Sequence, residues 1–273
     1  QNFFVDILHS GSFFIGDTIL EIGPGKGALT EKLLSTDAHV VAIEKDQELV
    51  PYLQEKFAIE IEKGLFTLIE GDILEFDIES ITKLTPPRRA SIDTARHDFA
   101  KSPSQGGKHL PNYKLVANIP YNITGAIIRM FLESKNQPTT MVLLVQKEVA
   151  VRIARDKKES ILSLSVKAYG TPTYVSTVSK RYFNPAPKVD SAIIAVQDIN
   201  RNRFVSQTHE AEFFKLVKTA FAHKRKQLAG NLKEGGYSAE YIEKSFSKNN
   251  LIADVRAEDI NIDIWVNMSD KDL

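Results

Sequence analysis

The chain has 273 residues, of which 42% are hydrophobic and 26% charged, a balance typical of a globular protein with about two domains. No run approaches the roughly 20 apolar residues that a membrane-spanning helix needs, so we expect no membrane contact. The absence of cysteine excludes disulfides and thiolate metal sites, and it fits a reducing cytoplasm. The sequence begins without methionine, and we expect that an N-terminal segment is missing.

Charge is distributed unevenly, although the formal net charge is zero. Residues 1–80 carry 16 acidic and 5 basic side chains, a net charge of −11. Residues 146–190 carry 9 basic and 4 acidic side chains, and residues 213–233 carry 6 basic and no acidic ones. A chain polarised in this way can present a basic face to a nucleic acid, although charge alone is better explained by solvated helix faces.

Strands alternate with helices through the first part of the chain. Apolar runs predict strands at 18–22, 39–44, 66–69, 114–117 and 141–145, and helices at about 28–34, 47–57 and 124–132. This alternation predicts a parallel sheet covered by helices on both faces. The segments 174–179 and 191–196 are predicted to form an antiparallel pair at one edge of that sheet.

Two stretches depart from this alternation. Residues 84–112 combine Pro86-Pro87 and Gly106-Gly107 with little apolar periodicity, so we predict a mobile insertion there. After Asp198 the pattern becomes helical, with helices expected at about 210–222, 224–232, 239–248 and 259–268. We therefore predict an α/β domain at 1–197 and a small all-helical domain at 198–273.

A glycine-rich turn, Gly23-Pro24-Gly25-Lys26-Gly27, joins the first strand to the first helix, so its backbone can approach a ligand closely. Glu44 ends the second strand, where a carboxylate can accept hydrogen bonds from ribose hydroxyls. Asp72 ends the third strand and could accept from an adenine amino group, although a turn aspartate is an equally common role. This combination fits a nucleoside cofactor, and by itself it does not separate NAD from S-adenosylmethionine.

The tetrad Asn118-Ile119-Pro120-Tyr121 follows the fourth strand and suits an enzyme that alkylates an amino group conjugated to a ring. The lone pair of such a nitrogen is delocalised into the ring, so the nitrogen is a poor nucleophile. The amide oxygen of Asn118 and a backbone carbonyl directed by Pro120 can accept its N–H groups and favour a pyramidal nitrogen. Tyr121 offers a stacking face for the base.

A proline-held loop from Phe183 to Ser191 presents an aromatic side chain close to three cations, which are Lys180, Arg181 and Lys188. An aromatic ring beside cations suits a wall on which a base stacks, and a core phenylalanine before a turn explains it equally well. The segment 222–227 is predicted to be a basic helix start that contacts phosphate. The six histidines show no metal-ligand spacing, so we expect no metal.

Together these residues resemble the ribosomal RNA adenine N6-dimethyltransferase family, the KsgA-like enzymes of the small subunit. The matching segments, in order, are Gln1–Phe3, Glu21–Gly27, Ile43-Glu44, Asp72, Asn118–Tyr121, Gln146–Ala150, Phe183–Ser191, Ala220-Phe221, Lys224–Lys226 and Arg256–Glu258. The resemblance implies a Rossmann-like class I methyltransferase domain with a helical C-terminal domain, and S-adenosylmethionine as cofactor. It also implies dimethylation of two adjacent adenines in a hairpin loop of small-subunit ribosomal RNA during ribosome maturation, and we expect a monomer.

The resemblance also implies a role for individual residues. The predicted cofactor site comprises Asn2, Phe4, Gly23, Gly25, Glu44, Lys45, Asp72, Ile73 and Asn118. The predicted adenine site comprises Asn118, Pro120, Tyr121 and Phe183. The predicted RNA contacts are Lys180, Arg181, Lys188, Lys224, Arg225 and Lys226. The chain departs from the family pattern in its short stretch before Glu21, in the absence of a basic segment before Gln1, and in the long insertion at 84–112.

Three other functions remain compatible with parts of the sequence. A macrolide-resistance adenine methyltransferase of the large subunit shares the tetrad, although Pro24 and Arg256-Ala257-Glu258 favour the small-subunit branch. A non-catalytic RNA-binding assembly factor on the same fold has no need of an intact tetrad and Glu44. An NAD dehydrogenase fits the glycine turn but leaves the tetrad and the basic segments without a role.

Overall fold

A computed structural model describes residues 3–81 and 112–270. Asn2, and the predicted insertion at 84–112 except for its last residue, lie outside the described residues, so the proposals made for them stay predictions. No helix within the described ranges is long and apolar enough to cross a membrane. The chain divides into two compact units, Gln1–Ile119 with Ser134–Met141, and Pro120–Glu133 with Val142–Leu273.

The first unit is built on parallel strands, which are β1 (Thr18–Ile22), β2 (His39–Glu44), β3 (Phe66–Glu70) and β4 (Tyr113–Asn118). Strand β1 pairs with β2 and β4, and β2 pairs with β3. Both β1 and β2 are buried along their whole length, which is why their sequences are mostly apolar and show no alternation. The four strands predicted from the sequence for this part of the chain are confirmed.

The helices of the first unit are α1 (Phe3–Gly11), α2 (Ala28–Leu34), α3 (Leu49–Lys56) and α4 (Ala58–Glu62). Helix α2 begins after Gly27, whose φ is 75° and whose added Cβ would lie 2.5 Å from the Phe57 ring, so the position requires glycine. The predicted helix at 28–34 is confirmed. The helix predicted at 47–57 is shorter, and α1 and α4 were not predicted.

The short connection between α1 and β1 is held by Lys114 of β4. Its ammonium group donates to the carbonyl of Ser12 at 2.5 Å and pairs with the Asp17 carboxylate at 2.7 Å. It also lies 5.1 Å from the centroid of the Phe14 ring, a cation–π distance. These contacts anchor the shortened segment to the sheet.

The next elements are α5 (Thr124–Glu133), β5 (Thr140–Gln146), α6 (Lys147–Ala154), α7 (Ile161–Tyr169), β6 (Thr171–Val178) and β7 (Ser191–Gln197). The strands form a seven-stranded sheet in the order β3-β2-β1-β4-β5-β7-β6. Strands β6 and β7 are antiparallel, with an irregularity between Tyr174 and Ser176, so the predicted antiparallel edge pair is confirmed. Helices α6 and α7 were not predicted, although Ser160 begins α7 with a capping box.

The chain after β7 is helical, with α8 (Gln207–Ala220), α9 (Leu228–Glu234), α10 (Ala239–Lys248) and α11 (Ile262–Ser269). These helices bury Phe213, Trp265 and Met268, and the indole N–H of Trp265 donates to the carbonyl of Ile260 at 3.1 Å. The helix predicted at 224–232 is wrong at its start, because 222–227 form turns before α9. The domain division at 197/198 stays a prediction.

Candidate active site

The glycine turn presents open space at the carboxyl end of β1. Gly23 and Gly25 have φ values of 65° and 59°, and a Cβ added to either would meet nothing within 4 Å. The N–H of Gly23 donates to the carbonyl of Ile43 at 3.0 Å, which ties the turn to the end of β2. A ligand can therefore lie against this backbone without meeting a side chain.

Glu44 is the buried acid of this edge, with a relative exposure of 6%. Its carboxylate accepts the N–H of Gly25 at 3.0 Å and the N–H of Asp46 at 2.9 Å. Its backbone carbonyl accepts the N–H of Gly71 at 2.8 Å. Because a carboxylate has about four acceptor positions, Glu44 keeps capacity for ribose hydroxyls while it orders the turn.

Asp72 lies after β3, where its carboxylate accepts the Lys45 ammonium at 2.6 Å and the N–H of Leu74 at 2.9 Å. The hydrogen bond from Lys45 holds the pKa of Asp72 below its usual value, so the group is a carboxylate at neutral pH. Lys45 is largely exposed and can move aside, and the adjacent Ile73 is buried. An adenine amino group would compete with Lys45 for the same oxygen.

Glu21 is a second buried acid near the glycine turn, and no role was predicted for it. It lies within β1 at 1% exposure, and its carboxyl group accepts the hydroxyl of Thr30 at 2.7 Å. Burial, opposed by the hydrogen bond from Thr30 and reinforced by the nearby Glu44 charge, raises the pKa of Glu21 from 4.5 to about 7. The signal in the sequence was a charged residue inside an otherwise apolar strand.

Asn118 joins the same edge of the sheet. Ile22 of β1 pairs with Ala117 of β4, so Gly23 and Asn118 follow neighbouring strand ends. The Asn118 side chain is exposed, and its amide makes no hydrogen bond among the described residues. Phe4, another predicted cofactor residue, is half-buried in α1. The first unit therefore brings Gly23, Gly25, Glu44, Lys45, Asp72, Ile73 and Asn118 to the ends of consecutive strands.

Pro120 and Tyr121 continue the chain in the second unit. Pro120 has φ −55° and ψ 133°, and its carbonyl accepts the N–H of Ile123 at 3.1 Å and, at 3.5 Å, the hydroxyl of Thr124. The second contact is long, so the carbonyl keeps acceptor capacity for a ligand. The half-exposed Tyr121 places its hydroxyl 2.8 Å from that of Ser191.

Phe183 is half-exposed rather than a core residue, and it follows a 3₁₀ turn at Lys180–Tyr182. The N–H of Lys180 donates to the Asp190 carboxylate at 3.0 Å, which closes the loop that carries Phe183. The three cations predicted here are exposed. A half-exposed ring in a closed loop favours the stacking interpretation over the core one.

A groove of about 660 Å³ lies beside this loop, lined by α6 and by residues 180–190. It contains Lys147 and Arg152, whose side chains form no ion pair among the described residues. Sequence reasoning did not select either cation. The acidic groups of the groove are Glu148, Asp156 and Asp190, so it suits a ligand that makes directional contacts rather than a bare anion.

The basic cluster at 224–226 is exposed and lies in the turns before α9, not in a helix as predicted. Lys226 pairs with Glu234 at 2.5 Å, and this pair lowers the pKa of Glu234. Lys224 and Arg225 make no ion pair within the described ranges. Within this cluster, Lys224 and Arg225 are therefore the cations that a phosphate would contact without competing with a carboxylate of the protein.

Comparison with known proteins gives matches along nearly the whole chain. A sequence profile described as Ribosomal RNA adenine dimethylase matches residues 6–270. A protein of Dehalococcoides mccartyi strain CBDB1, named Ribosomal RNA small subunit methyltransferase A, is 39% identical over 91% of this chain and 76% of its own length. The proteins of that name from Fusobacterium nucleatum and Clostridium botulinum are 35% and 32% identical, over 92% and 99% of this chain and 85% and 91% of their own lengths.

Two solved structures share the fold. The 23S rRNA methyltransferase ErmE superposes with a TM-score of 0.72 at 21% identity, covering 98% of this chain and 96% of its own. A dimethyladenosine transferase from Plasmodium falciparum superposes with a TM-score of 0.71 at 21% identity, covering 98% and 94%. At this identity the two superpositions establish the Rossmann-like methyltransferase fold, and they do not separate one RNA substrate from another.

Proposed function

This chain belongs to the ribosomal RNA adenine dimethylase family, and we propose that it dimethylates N6 of two adjacent adenines in a hairpin loop of small-subunit RNA. The enzyme is an S-adenosylmethionine-dependent adenine methyltransferase of ribosomal RNA. The observation that supports the assignment of its site is the buried Glu44 carboxylate, which orders an open glycine turn next to the strand end of Asn118. The small subunit as target is favoured by the names of the relatives.

We assign the cofactor's nucleoside to the strand ends of the first unit. Glu44 accepts the ribose hydroxyls, the open backbone at Gly23 and Gly25 lies against the cofactor, and Asp72 accepts the adenine amino group. The adenine amino group of the cofactor would displace the Lys45 ammonium from Asp72, because both donate to the same carboxylate. The apolar side chain of Ile73 packs against the adenine ring.

S-adenosylmethionine supplies a methyl group on a sulfonium, which is already an activated electrophile. The protein is left with positioning and electrostatics, and the chain has no cysteine that could form a covalent intermediate. We assign the target adenine to a position between Tyr121 and Phe183, reached after the base leaves its stack. The Asn118 amide oxygen and the Pro120 carbonyl would accept the amino hydrogens and orient the nitrogen lone pair. As the N–C bond formed, the methyl–sulfur bond would break to leave S-adenosylhomocysteine, and one amino proton would pass to solvent.

The RNA surface in this proposal follows the exposed cations of the second unit. Lys180 and Arg181 precede the loop of Phe183, and Lys188 lies within it. Lys147 and Arg152 extend the surface into the adjacent groove. Lys224 and Arg225 add a further phosphate contact. Acidic residues dominate the first 80 positions, which leaves RNA contact to the later part of the chain.

The experiment that tests this function offers the purified protein S-adenosylmethionine and unmodified small or large ribosomal subunits. Nucleoside mass analysis is expected to give N6,N6-dimethyladenine from the small subunit and none from the large. Methylation of the large subunit alone would instead support the macrolide-resistance alternative. An absence of methyl transfer, together with intact binding of small-subunit RNA, would support the assembly-factor alternative.

A further inference from the structure

Tyr121, which the proposed mechanism uses as a stacking face, is held by a residue that the mechanism does not use. Its hydroxyl lies 2.8 Å from the hydroxyl of Ser191, and neither hydroxyl has another hydrogen-bond partner among the described residues. Ser191 is the first residue of β7 and is 1% exposed, so its position is fixed by the sheet. Tyr121, in contrast, lies half-exposed in a 3₁₀ turn.

The residue before Ser191 anchors the turn that leads to the second proposed stacking ring. The Asp190 carboxylate accepts the N–H of Lys180 at 3.0 Å, at the start of the turn that leads to Phe183. The Asp190 carbonyl accepts the N–H of Lys147 at 3.0 Å, which fixes it to the start of α6. Two adjacent residues therefore position the two proposed stacking rings. Ser191 bonds the Tyr121 hydroxyl, and Asp190 anchors the loop that carries Phe183.

From this geometry we propose that Ser191 is a positioning residue, whose hydrogen bond fixes the Tyr121 ring at the orientation in which it stacks on the target adenine. The proposal rests on the proposed function, because it assumes that Tyr121 is a wall of the adenine site. An aromatic side chain without this bond can rotate away from the base. Ser191 then acts only through Tyr121 and does not touch the substrate.

The consequence falls on the chemical step rather than on binding. Methyl transfer requires the attacking nitrogen and the methyl carbon to be aligned at about 3–3.5 Å, so a loosely held ring lowers the population of reactive geometries. A net hydrogen-bond contribution of the usual size corresponds to a rate constant lower by about fivefold. The second transfer needs the monomethylated amine to present its lone pair again, so release of monomethyladenine is expected to increase.

The test is a double-mutant cycle on the full-length protein, with Ser191→Ala, Tyr121→Phe and the double variant. Tyr121→Phe keeps the ring and removes only the hydroxyl, and its half-exposed position keeps the core intact. Single-turnover rate constants at saturating RNA and S-adenosylmethionine are expected to fall about fivefold in each single variant and no further in the double variant. Ser191→Thr, which keeps a hydroxyl, is expected to restore the rate.

A matched control tests whether the slower methyl transfer expected in Ser191→Ala arises from loss of the Tyr121 contact or from loss of any buried serine hydroxyl. Ser165→Ala removes the hydroxyl of a residue that is 4% exposed, and among the described residues this hydroxyl bonds only the carbonyl of Ile161 within α7. The rate and product ratio of this variant are expected to match wild type. Affinities for S-adenosylmethionine and RNA are expected to stay unchanged in all variants. Additive losses in the cycle, or a wild-type rate in Ser191→Ala, would overturn the proposal.

The same measurements distinguish a failure of the role proposed for Ser191 from a failure of the proposed methyltransferase function. If wild type forms no methylated adenine, the proposed function fails before Ser191 is in question. If wild type methylates RNA and Tyr121→Phe is slow while Ser191→Ala is not, the function stands and the role of Ser191 fails. If Ser191→Ala loses cofactor affinity as well as rate, it disturbs the fold rather than one ring, and the proposal also fails.

Discussion

Replacement of Glu44 by alanine is the most direct perturbation of the proposed cofactor site. The change removes a charged acceptor that the structure fixes with two backbone N–H groups, from Gly25 at 3.0 Å and Asp46 at 2.9 Å. A hydrogen bond to a charged group contributes about 1.5–3 kcal/mol, so the dissociation constant for S-adenosylmethionine is expected to rise by roughly one to two decades.

Isothermal titration calorimetry measures this affinity, and Glu70→Ala is the matched control. Glu70 lies opposite Glu44 in the β2–β3 register and accepts a hydrogen bond from Gln47, but it is exposed and has no assigned cofactor contact. Its replacement is expected to leave the affinity unchanged. An unchanged dissociation constant in Glu44→Ala, or an equal loss in Glu70→Ala, would refute the assignment of Glu44 to the ribose.

Three further predictions concern pH, salt and product. Because burial raises the pKa of Glu21 from 4.5 to about 7, the neutral form of this residue stabilises the fold at low pH. As the pH rises from 4.5 past 7, the free energy of unfolding of wild type, measured by urea unfolding, should fall by roughly 3 kcal/mol relative to that of Glu21→Gln. Alanine at Lys224 and Arg225 should flatten the slope of log RNA affinity against log salt by about 1.5, measured by filter binding, with cofactor affinity unchanged. Phe183→Ala should slow transfer and raise the fraction of monomethyladenine, measured by mass analysis of single-turnover products.

Each of these has its own control and its own contradicting result. A stability difference between wild type and Glu21→Gln that does not change with pH would show that Glu21 titrates normally in the fold. Alanine at Lys32 and Lys63, two exposed cations of the acidic segment, should leave the salt slope as in wild type. If replacement of Lys224 and Arg225 leaves the slope of log RNA affinity against log salt as steep as in wild type, these cations are solvated surface residues that do not contact RNA. Wild-type product ratios in Phe183→Ala would remove the ring from the adenine site.

The strands of the first unit could be predicted because their burial leaves a strong sequence signal. Strands β1 and β2 are buried residue by residue, and a short run of apolar, largely β-branched side chains is typical of a strand buried on both faces. The residues that end β1, β2 and β3 were then placed correctly at one edge, because parallel strands deliver their carboxyl ends to the same side. The sheet topology, more than any single motif, therefore predicts which candidate residues lie together at that edge.

Helix starts are predictable where a side chain caps them. Ser238 caps α10, whose predicted bounds of 239–248 are confirmed, and Ser206 caps α8, which begins three residues before the predicted start. Helix α9 follows Gln227, which makes no capping hydrogen bond, so nothing local separates the basic turn from the helix. Helix propensity is then the only signal in the basic segment, and it extends the predicted helix too far toward the N-terminus.

Contacts that depend on tertiary structure could not be read from the sequence. The Lys45–Asp72 pair joins residues that follow neighbouring strands, and the Tyr121–Ser191 bond joins residues 70 positions apart. The raised pKa of Glu21 depends on complete burial between β2 and β4, which no residue pattern specifies. Sequence patterns thus select the residues proposed to carry chemistry, while packing determines which of them already contact neighbouring residues.

Single-turnover methylation of small-subunit RNA by wild type and by Asn118→Ala, at saturating cofactor and RNA, tests the proposed mechanism most directly. Nucleoside mass analysis should give N6,N6-dimethyladenine with wild type. In Asn118→Ala the rate constant should fall by the roughly 30- to 1000-fold that corresponds to about 2–4 kcal/mol for a lost transition-state contact, with RNA affinity retained. Dimethyladenine formed at the wild-type rate by Asn118→Ala would contradict the assigned mechanism, and no methylated adenine with wild type would contradict the function.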